Sequence, residues 1–130
     1  MGRALESYLD TNVVICLHSG ATERISARAI QQIEENDLMI SAMVMLELEL
    51  LSEIGRLKYD SGRIFADLSQ QIGLSLCPLP MTSVIHAAVD IRWTRDPFDR
   101  IILANAIANN RAPLITSDRR IQEKYENAIW

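Results

Sequence analysis

The chain has 130 residues and a formal net charge of −4, from 13 basic and 17 acidic side chains. This length indicates one domain, over residues 1–130, with a single core. No apolar run approaches the ~18 residues that a membrane-spanning helix requires, and the N-terminal sequence lacks a secretory core, so we expect a cytoplasmic protein without a membrane partner. Two cysteines without a CxxC spacing favour neither a disulfide scaffold nor a zinc site.

The acidic balance argues against a protein that holds nucleic acid by bulk electrostatics, because phosphate binding favours a basic surface. The charge is unevenly divided, however. Residues 92–130 carry seven basic and five acidic side chains, whereas residues 1–91 carry six and twelve. Acidic residues beside local arginines are compatible with an enzyme that acts on phosphodiesters.

Short apolar runs alternate with stretches of helical period, which indicates a parallel sheet covered by helices. In chain order we predict strand 5–9, helix 13–18, helix 23–35, strand 38–40, helix 41–54 and helix 61–71. Strand 74–76, helix 82–93, helix 98–109, strand 114–116, helix 118–125 and an edge strand at 128–130 follow. The fold class is therefore α/β, a three-layer α/β/α sandwich around a parallel sheet of four to five short strands.

Three acidic residues occupy informative places in this pattern. Asp10 follows the first strand, Asp118 follows the fourth, and Asp99 lies in the first turn of the sixth helix. Ligands of open parallel sheets bind at the carboxyl ends of the strands. We therefore expect Asp10 and Asp118 to point into one crevice.

A fourth acid, Glu47, is placed by helical spacing on an apolar stripe. It shares a predicted helix face with Met43, Leu50, Leu51 and Ile54. Burial of an ionised carboxylate is costly without a partner, and no lysine or arginine lies on the same face. Capping cannot explain a carboxylate at this position.

Each of the other acids also has a purely structural explanation. Asp10 and Asp118 are suited to cap the helices that follow them, Asp96 to cap the sixth helix, and Asp99 to favour its dipole. Taken together with Glu47, however, several carboxylates without a lysine between them repel one another. A hard divalent cation with oxygen ligands, Mg²⁺ or Mn²⁺, is the usual resolution.

Four sequence blocks resemble the PIN-domain ribonucleases, and more narrowly the VapC-type toxins of type II toxin-antitoxin pairs. In order and spacing these blocks are LDTNV at 9–13, ISAMVMLELELL at 40–51, RDPFDRIILANAIANN at 95–110 and LITSD at 114–118. The resemblance covers nearly the whole chain. Each short block alone would be weak, but their combination within 130 residues is specific.

The resemblance implies a PIN-like nuclease domain that cleaves RNA with Mg²⁺ or Mn²⁺. It assigns the catalytic and metal-binding roles to Asp10, Glu47, Asp99 and Asp118. It assigns hydrogen-bonding support of the site to Asn12, Ser41 and Thr116. It also implies a cognate antitoxin as protein partner and a homodimer.

An alternative of a different class stays open. The same arrangement is compatible with a non-catalytic Mg²⁺-binding or protein-binding module of PIN-like or receiver-like layout. Receiver domains carry paired acids after the first strand and a lysine after the last, and this chain has neither. The intact set of four acids counts against an inactive PIN-like scaffold.

Overall fold

The computed structural model of the protein describes residues 6–130, so that residue 5 of the first predicted strand lies outside it. Within this range the strands are β1 (Glu6–Leu9), β2 (Asp37–Ile40), β3 (Ser75–Leu76), β4 (Leu114–Ile115) and β5 (Ala128–Ile129). The α-helices are α1 (Thr11–Ser19), α2 (Ala27–Glu35), α3 (Ala42–Glu53), α4 (Ser61–Ile72), α5 (Met81–Ala88), α6 (Pro97–Ala108) and α7 (Arg119–Lys124). A short 3-10 helix covers Thr22–Arg24.

The five strands form one parallel sheet in the order β3-β2-β1-β4-β5. The predicted α/β class with a parallel sheet is therefore confirmed. The chain builds outward from β1 through β2 and β3, and then returns to the other side of β1 for β4 and β5. Strand order thus reverses beside β1, and such a reversal opens a crevice at the carboxyl ends of the strands.

The core lies between the sheet and the helices that cover it. Side chains of the central strands, among them Tyr8, Leu9, Ile40, Leu114 and Ile115, are fully buried. Strands that are covered on both faces carry continuous apolar runs rather than an alternation. This accounts for the apolar runs at 38–40 in β2 and at 114–115 in β4.

Two helix boundaries differ from the predicted ones by more than two residues. The helix predicted at 23–35 begins only at Ala27, because Ile25 is extended and the Ser26 hydroxyl caps α2 by accepting from the N–H of Ala29 at 3.1 Å. The helix predicted at 82–93 ends at Ala88. At this end the Arg100 guanidinium donates to the carbonyl of Ala88 at 3.0 Å. A side chain from α6 thus provides a hydrogen bond to a carbonyl at the C-terminus of α5.

The apolar stripe predicted around Glu47 is not the buried face of α3, and that prediction was wrong. Val44 and Leu48 are the buried residues of this helix, whereas Leu50 is 39% and Ile54 67% exposed. The helix carries apolar side chains on more than one face. Spacing alone therefore cannot select the face that packs on the core.

No helix within residues 6–130 combines the length and the apolar character that crossing a membrane requires.

The two faces of α3 predict different responses to the same substitution. Leu48→Ala should lower the free energy of unfolding by about 2–5 kcal/mol, because it leaves a cavity in the core. Leu46→Ala, on the same helix at a half-exposed position, should change it by no more than about 0.5 kcal/mol. Urea unfolding curves of both variants measure this difference, and equal losses would contradict the assigned orientation of α3.

Candidate active site

Asp10 lies where β1 meets α1, and both of its carboxylate oxygens are held. Oδ1 accepts from the N–H of Thr11 at 2.9 Å, and Oδ2 accepts from the hydroxyl of Thr116 at 2.6 Å. Thr116 is fully buried just beyond β4, and its hydroxyl oxygen also accepts from the N–H of Asp118 at 3.0 Å. One hydroxyl therefore connects the carboxyl ends of β1 and β4 and orients the acids that follow them.

Asp118 and Asp96 are helix caps as well as members of the acidic group. The Asp118 carboxylate accepts from the N–H of Ile121 at the start of α7, at 3.0 Å. The Asp96 carboxylate accepts from the N–H of Phe98 at the start of α6, at 2.9 Å. Each cap uses one oxygen of its carboxylate, so capping leaves the other oxygen of each side chain available.

Asp99 differs from these acids because its carboxylate has no hydrogen-bond donor among the described residues. It lies in the first turn of α6 and is half-buried. Burial, followed by the negative charges of Asp96, Asp10, Asp118 and Glu47 in that order, raises the pKa of Asp99 to about 7. Asp99 therefore interacts electrostatically with four other carboxylates.

Glu47 reaches the same group from α3. Its Oε1 atom accepts from the hydroxyl of Thr11 at 2.5 Å. Burial raises the pKa of Glu47 despite this hydrogen bond, and the charges of Asp10 and Asp96 add to the increase. Likewise, burial raises the pKa of Asp10 against the hydrogen bonds that it accepts. The structure therefore brings together the four acids that the sequence singled out, with Asp96 beside them.

The three predicted supporting residues have different places in the structure. Thr116 holds Asp10 directly, as described above. Ser41 caps α3, since its hydroxyl accepts from the N–H of Met43 at 3.1 Å, and it therefore acts on the helix that carries Glu47. Asn12 is exposed, and its side chain makes no hydrogen bond within residues 6–130.

Thr11 is a supporting residue that sequence reasoning missed. This buried residue connects two acids, because its backbone N–H donates to Asp10 and its side-chain hydroxyl donates to Glu47. The available signal was its place directly after Asp10, with a hydroxyl on the first residue of the helix. The partner on α3 lies 36 residues further along the chain, and no local pattern identifies it.

The chemistry of the donor set fits a hard divalent cation. Within the described part of the chain, no lysine, arginine or histidine forms an ion pair with any of these acids. Carboxylate oxygens without a donor remain on Asp99, Asp118 and Glu47. Among residues 6–130, however, no three histidine, cysteine or carboxylate side chains stand together as a formed metal site. The acids therefore match a hard divalent cation in ligand type and in charge.

Fold and site together define an α/β protein with an acidic cluster at the carboxyl edge of a parallel sheet. The sequence matches the PIN domain family over residues 7–127. The chain therefore belongs to the PIN-domain family, and the resemblance seen in its sequence blocks is confirmed at this level.

Solved structures share this fold along almost the whole chain. The crystal structure of VapBC2 from Rickettsia felis, bound to a DNA fragment from their promoter, matches with a TM-score of 0.66 at 16% identity, covering 95% of this chain and 96% of that chain. A toxin-antitoxin complex from Klebsiella pneumoniae matches with a TM-score of 0.59 at 20% identity, with the same coverage of both chains. A search of curated protein sequences gives no significant match. At these identities the likeness concerns the fold.

The raised pKa of Asp99 predicts a pH dependence of stability in the absence of divalent ions. The Asp99 carboxyl group binds its proton more tightly in the folded than in the unfolded state. The free energy of unfolding should therefore fall as the pH rises from about 4 to about 7. Asp99→Asn should remove most of this slope. With a discount for solvent screening of a half-exposed group, it should stabilise the chain at pH 8 by on the order of 1–3 kcal/mol.

Thermal melts in EDTA between pH 4 and pH 8 measure this effect. Asp90→Asn, which neutralises an exposed acid in the turn after α5, is the matched control and should leave the slope unchanged. A slope in Asp99→Asn as steep as that of the unmodified chain, or steeper, would contradict the raised pKa of Asp99.

Proposed function

We propose that the protein is a metal-dependent endoribonuclease that hydrolyses RNA phosphodiester bonds, and that it is the toxin of a toxin-antitoxin pair. One observation carries the proposal. In a PIN-domain chain, four acids from four different elements converge at one edge of the sheet without a basic partner, namely Asp10, Glu47, Asp99 and Asp118.

Mg²⁺ or Mn²⁺ would be held by Asp10, Asp99 and Asp118, with Glu47 as a direct ligand or through water. When bound, such an ion lowers the pKa of a coordinated water and offsets negative charge on the phosphate oxygens. The residues of this chain supply the binding geometry. Thr116 and Thr11 hold Asp10 and Glu47 in fixed orientations, so that the carboxylates are not free to rotate away from the site.

Cleavage is expected to depend on both the ion and Asp99. The purified protein should cleave structured RNA with Mg²⁺ or Mn²⁺ and stop when EDTA is added. Asp99→Asn removes one anionic ligand without removing a hydrogen bond, and it should lower the cleavage rate at least 100-fold, roughly the effect of losing a group needed in the transition state. Gel analysis of labelled RNA fragments measures the rate.

The Asp90→Asn protein serves as control and should cleave at the rate of the unmodified chain. A circular dichroism spectrum and a melting curve confirm that Asp99→Asn is folded. Cleavage by folded Asp99→Asn at the unmodified rate would exclude this mechanism. Stabilisation by Mg²⁺ without cleavage of any RNA would favour the non-catalytic binding module instead.

An exposed apolar row on α3 supports an antitoxin partner. Leu46, Leu50 and Ile54 follow one another at four-residue spacing, and all three are exposed. Leu50 lies three residues from Glu47, so a helix packed on this row would bring its flanking chain to the acids. Of the neighbouring structures named above, the one from Klebsiella pneumoniae is described as a toxin-antitoxin complex, and the one from Rickettsia felis as VapBC2 bound to promoter DNA. We propose that an antitoxin helix covers this row.

A second exposed row supports self-association. Met81, Ile85 and Val89 have the same four-residue spacing along α5 and its C-terminal cap. Apolar rows of this kind mark surfaces that another molecule covers. We propose that a second copy of the chain packs here to form a homodimer, which leaves the α3 row and the acids accessible to the antitoxin.

Inhibition by the antitoxin is expected to use a cation inserted between the acids. An arginine presents a bidentate fork to carboxylates, and it would satisfy the charge that a divalent ion otherwise satisfies. An antitoxin peptide should therefore bind more weakly as Mg²⁺ is titrated in, and more weakly to Asp10→Asn/Asp99→Asn than to the unmodified chain. Calorimetric titrations measure both effects. Equal affinity in all conditions would exclude an inserted cation.

A further inference from the structure

A cleft of about 290 Å³ opens beside the acids, at the same edge of the sheet. Its polar and aromatic walls are Asn12, Arg24, Ser117 and Trp130. Asn12 follows Asp10 by two residues, and Ser117 directly precedes Asp118. The cleft therefore adjoins the acidic site through the chain segments that carry two of its members.

The sheet itself places Trp130 at this edge. Trp130 directly follows β5, which pairs with β4 in parallel register, Ile115 opposite Ile129. The N–H of Thr116 donates to the carbonyl of Ile129 at 3.1 Å and continues this pairing to the end of the sheet. The indole is half-buried and lies in the wall of the cleft. Its position relative to the acids is thus set by backbone hydrogen bonds.

The polar side chains of the cleft are free to contact a ligand. Within residues 6–130, Arg24 forms no salt bridge and Asn12 has no side-chain hydrogen bond, while Ser117 is exposed. The floor is apolar, formed partly by Ile15. This combines a flat aromatic surface, a cation and neutral hydrogen-bonding groups around a small apolar depression.

Trp93, the other tryptophan of the chain, has a cationic side chain packed against its ring. The guanidinium of Arg120 lies over the Trp93 ring, 5.2 Å from its centroid, and donates to the carbonyl of Trp93. One face of that ring is therefore already occupied. Within the described residues, no aromatic or cationic pairing involves Trp130.

We propose that this cleft binds one unpaired nucleobase of the RNA substrate, next to the phosphate that is cleaved. The base stacks on Trp130, Arg24 contacts the adjoining phosphate, and Asn12 and Ser117 hydrogen-bond to the base edge. Stacking on an aromatic side chain accepts any base, whereas the amide and hydroxyl groups discriminate between base edges. This assignment rests on the proposed ribonuclease function and adds the residues that select the nucleotide.

The test measures binding separately from cleavage. The full chain carrying Asp99→Asn, in EDTA, is titrated into a labelled single-stranded RNA hexamer, and fluorescence anisotropy gives Kd. Trp130→Ala should weaken binding about 5-fold to 150-fold, the range for loss of one stacked base. Trp130→Phe should keep most of the affinity, because it retains an aromatic face.

A matched pair of arginines tests the phosphate contact. Arg24→Ala should weaken binding and lower the salt dependence of log Kd by about 0.7, as expected for one phosphate contact on a single strand. Arg28→Ala removes the same charge from an exposed position on α2 outside the cleft, and it should leave Kd unchanged. This pair decides the proposal also where Trp130→Ala fails to fold.

Fluorescence of Trp130 provides a readout that a merely structural role would not affect. In a Trp93→Phe background the indole emission comes from Trp130 alone, and stacking of a base should quench it as RNA is added. Unchanged emission, together with Kd values within twofold for Trp130→Ala and Arg24→Ala, would overturn the proposal. Cleavage of RNA by the unmodified chain alongside that result would show that the cleft assignment alone has failed.

The opposite combination is equally informative. If the unmodified chain cleaves no RNA with Mg²⁺ or Mn²⁺, yet RNA quenches Trp130 and Trp130→Ala weakens binding, the nuclease function is overturned. The cleft is then supported as a nucleotide-binding site of a non-cleaving protein.

Discussion

Negative charge concentrated at one edge of the sheet is the constraint on which the rest of this structure depends. Burial and the charges of four neighbouring acids raise the proton affinity of Asp99, and no basic side chain of the described residues pairs with these acids. Such an arrangement costs folding free energy, since like charges repel most strongly where water is partly excluded. The buried core and the backbone hydrogen bonds around the site must offset this cost. A ligand of opposite charge would relieve this repulsion.

Helix caps and two buried threonine hydroxyls hold these charges in place. Asp10 and Asp118 each cap a helix with one oxygen, so the structural role of each residue is compatible with its proposed role as a metal ligand. The hydroxyls of Thr116 and Thr11 then join segments that lie 106 and 36 residues apart in sequence. Since buried hydroxyls have few alternative partners, these two contacts fix the carboxylates more firmly than solvent-exposed bonds would.

These contacts also show how far the sequence determines the site. The parallel sheet and the positions of Asp10 and Asp118 follow from strand order, because the carboxyl ends of parallel strands must share an edge. Glu47 does reach this edge, but the argument from a buried stripe was wrong, since Val44 and Leu48 face the core instead. Local sequence spacing does not predict contacts between segments that are distant in the chain. The bonds of Thr11 to Glu47 and of Arg100 to Ala88 depend on tertiary packing alone.

The outermost strands have a consequence for how the molecule can associate. β3 and β5 each contain two residues, so the borders of the sheet present very few unpaired N–H and C=O groups. A strand from another molecule could therefore form few hydrogen bonds with either edge of the sheet. Short edge strands are one way in which natural proteins avoid edge-to-edge aggregation. Exposed apolar rows lie instead on α3 and α5. Contact is thereby directed to helical surfaces, where side-chain shape discriminates between partners far better than a bare backbone does.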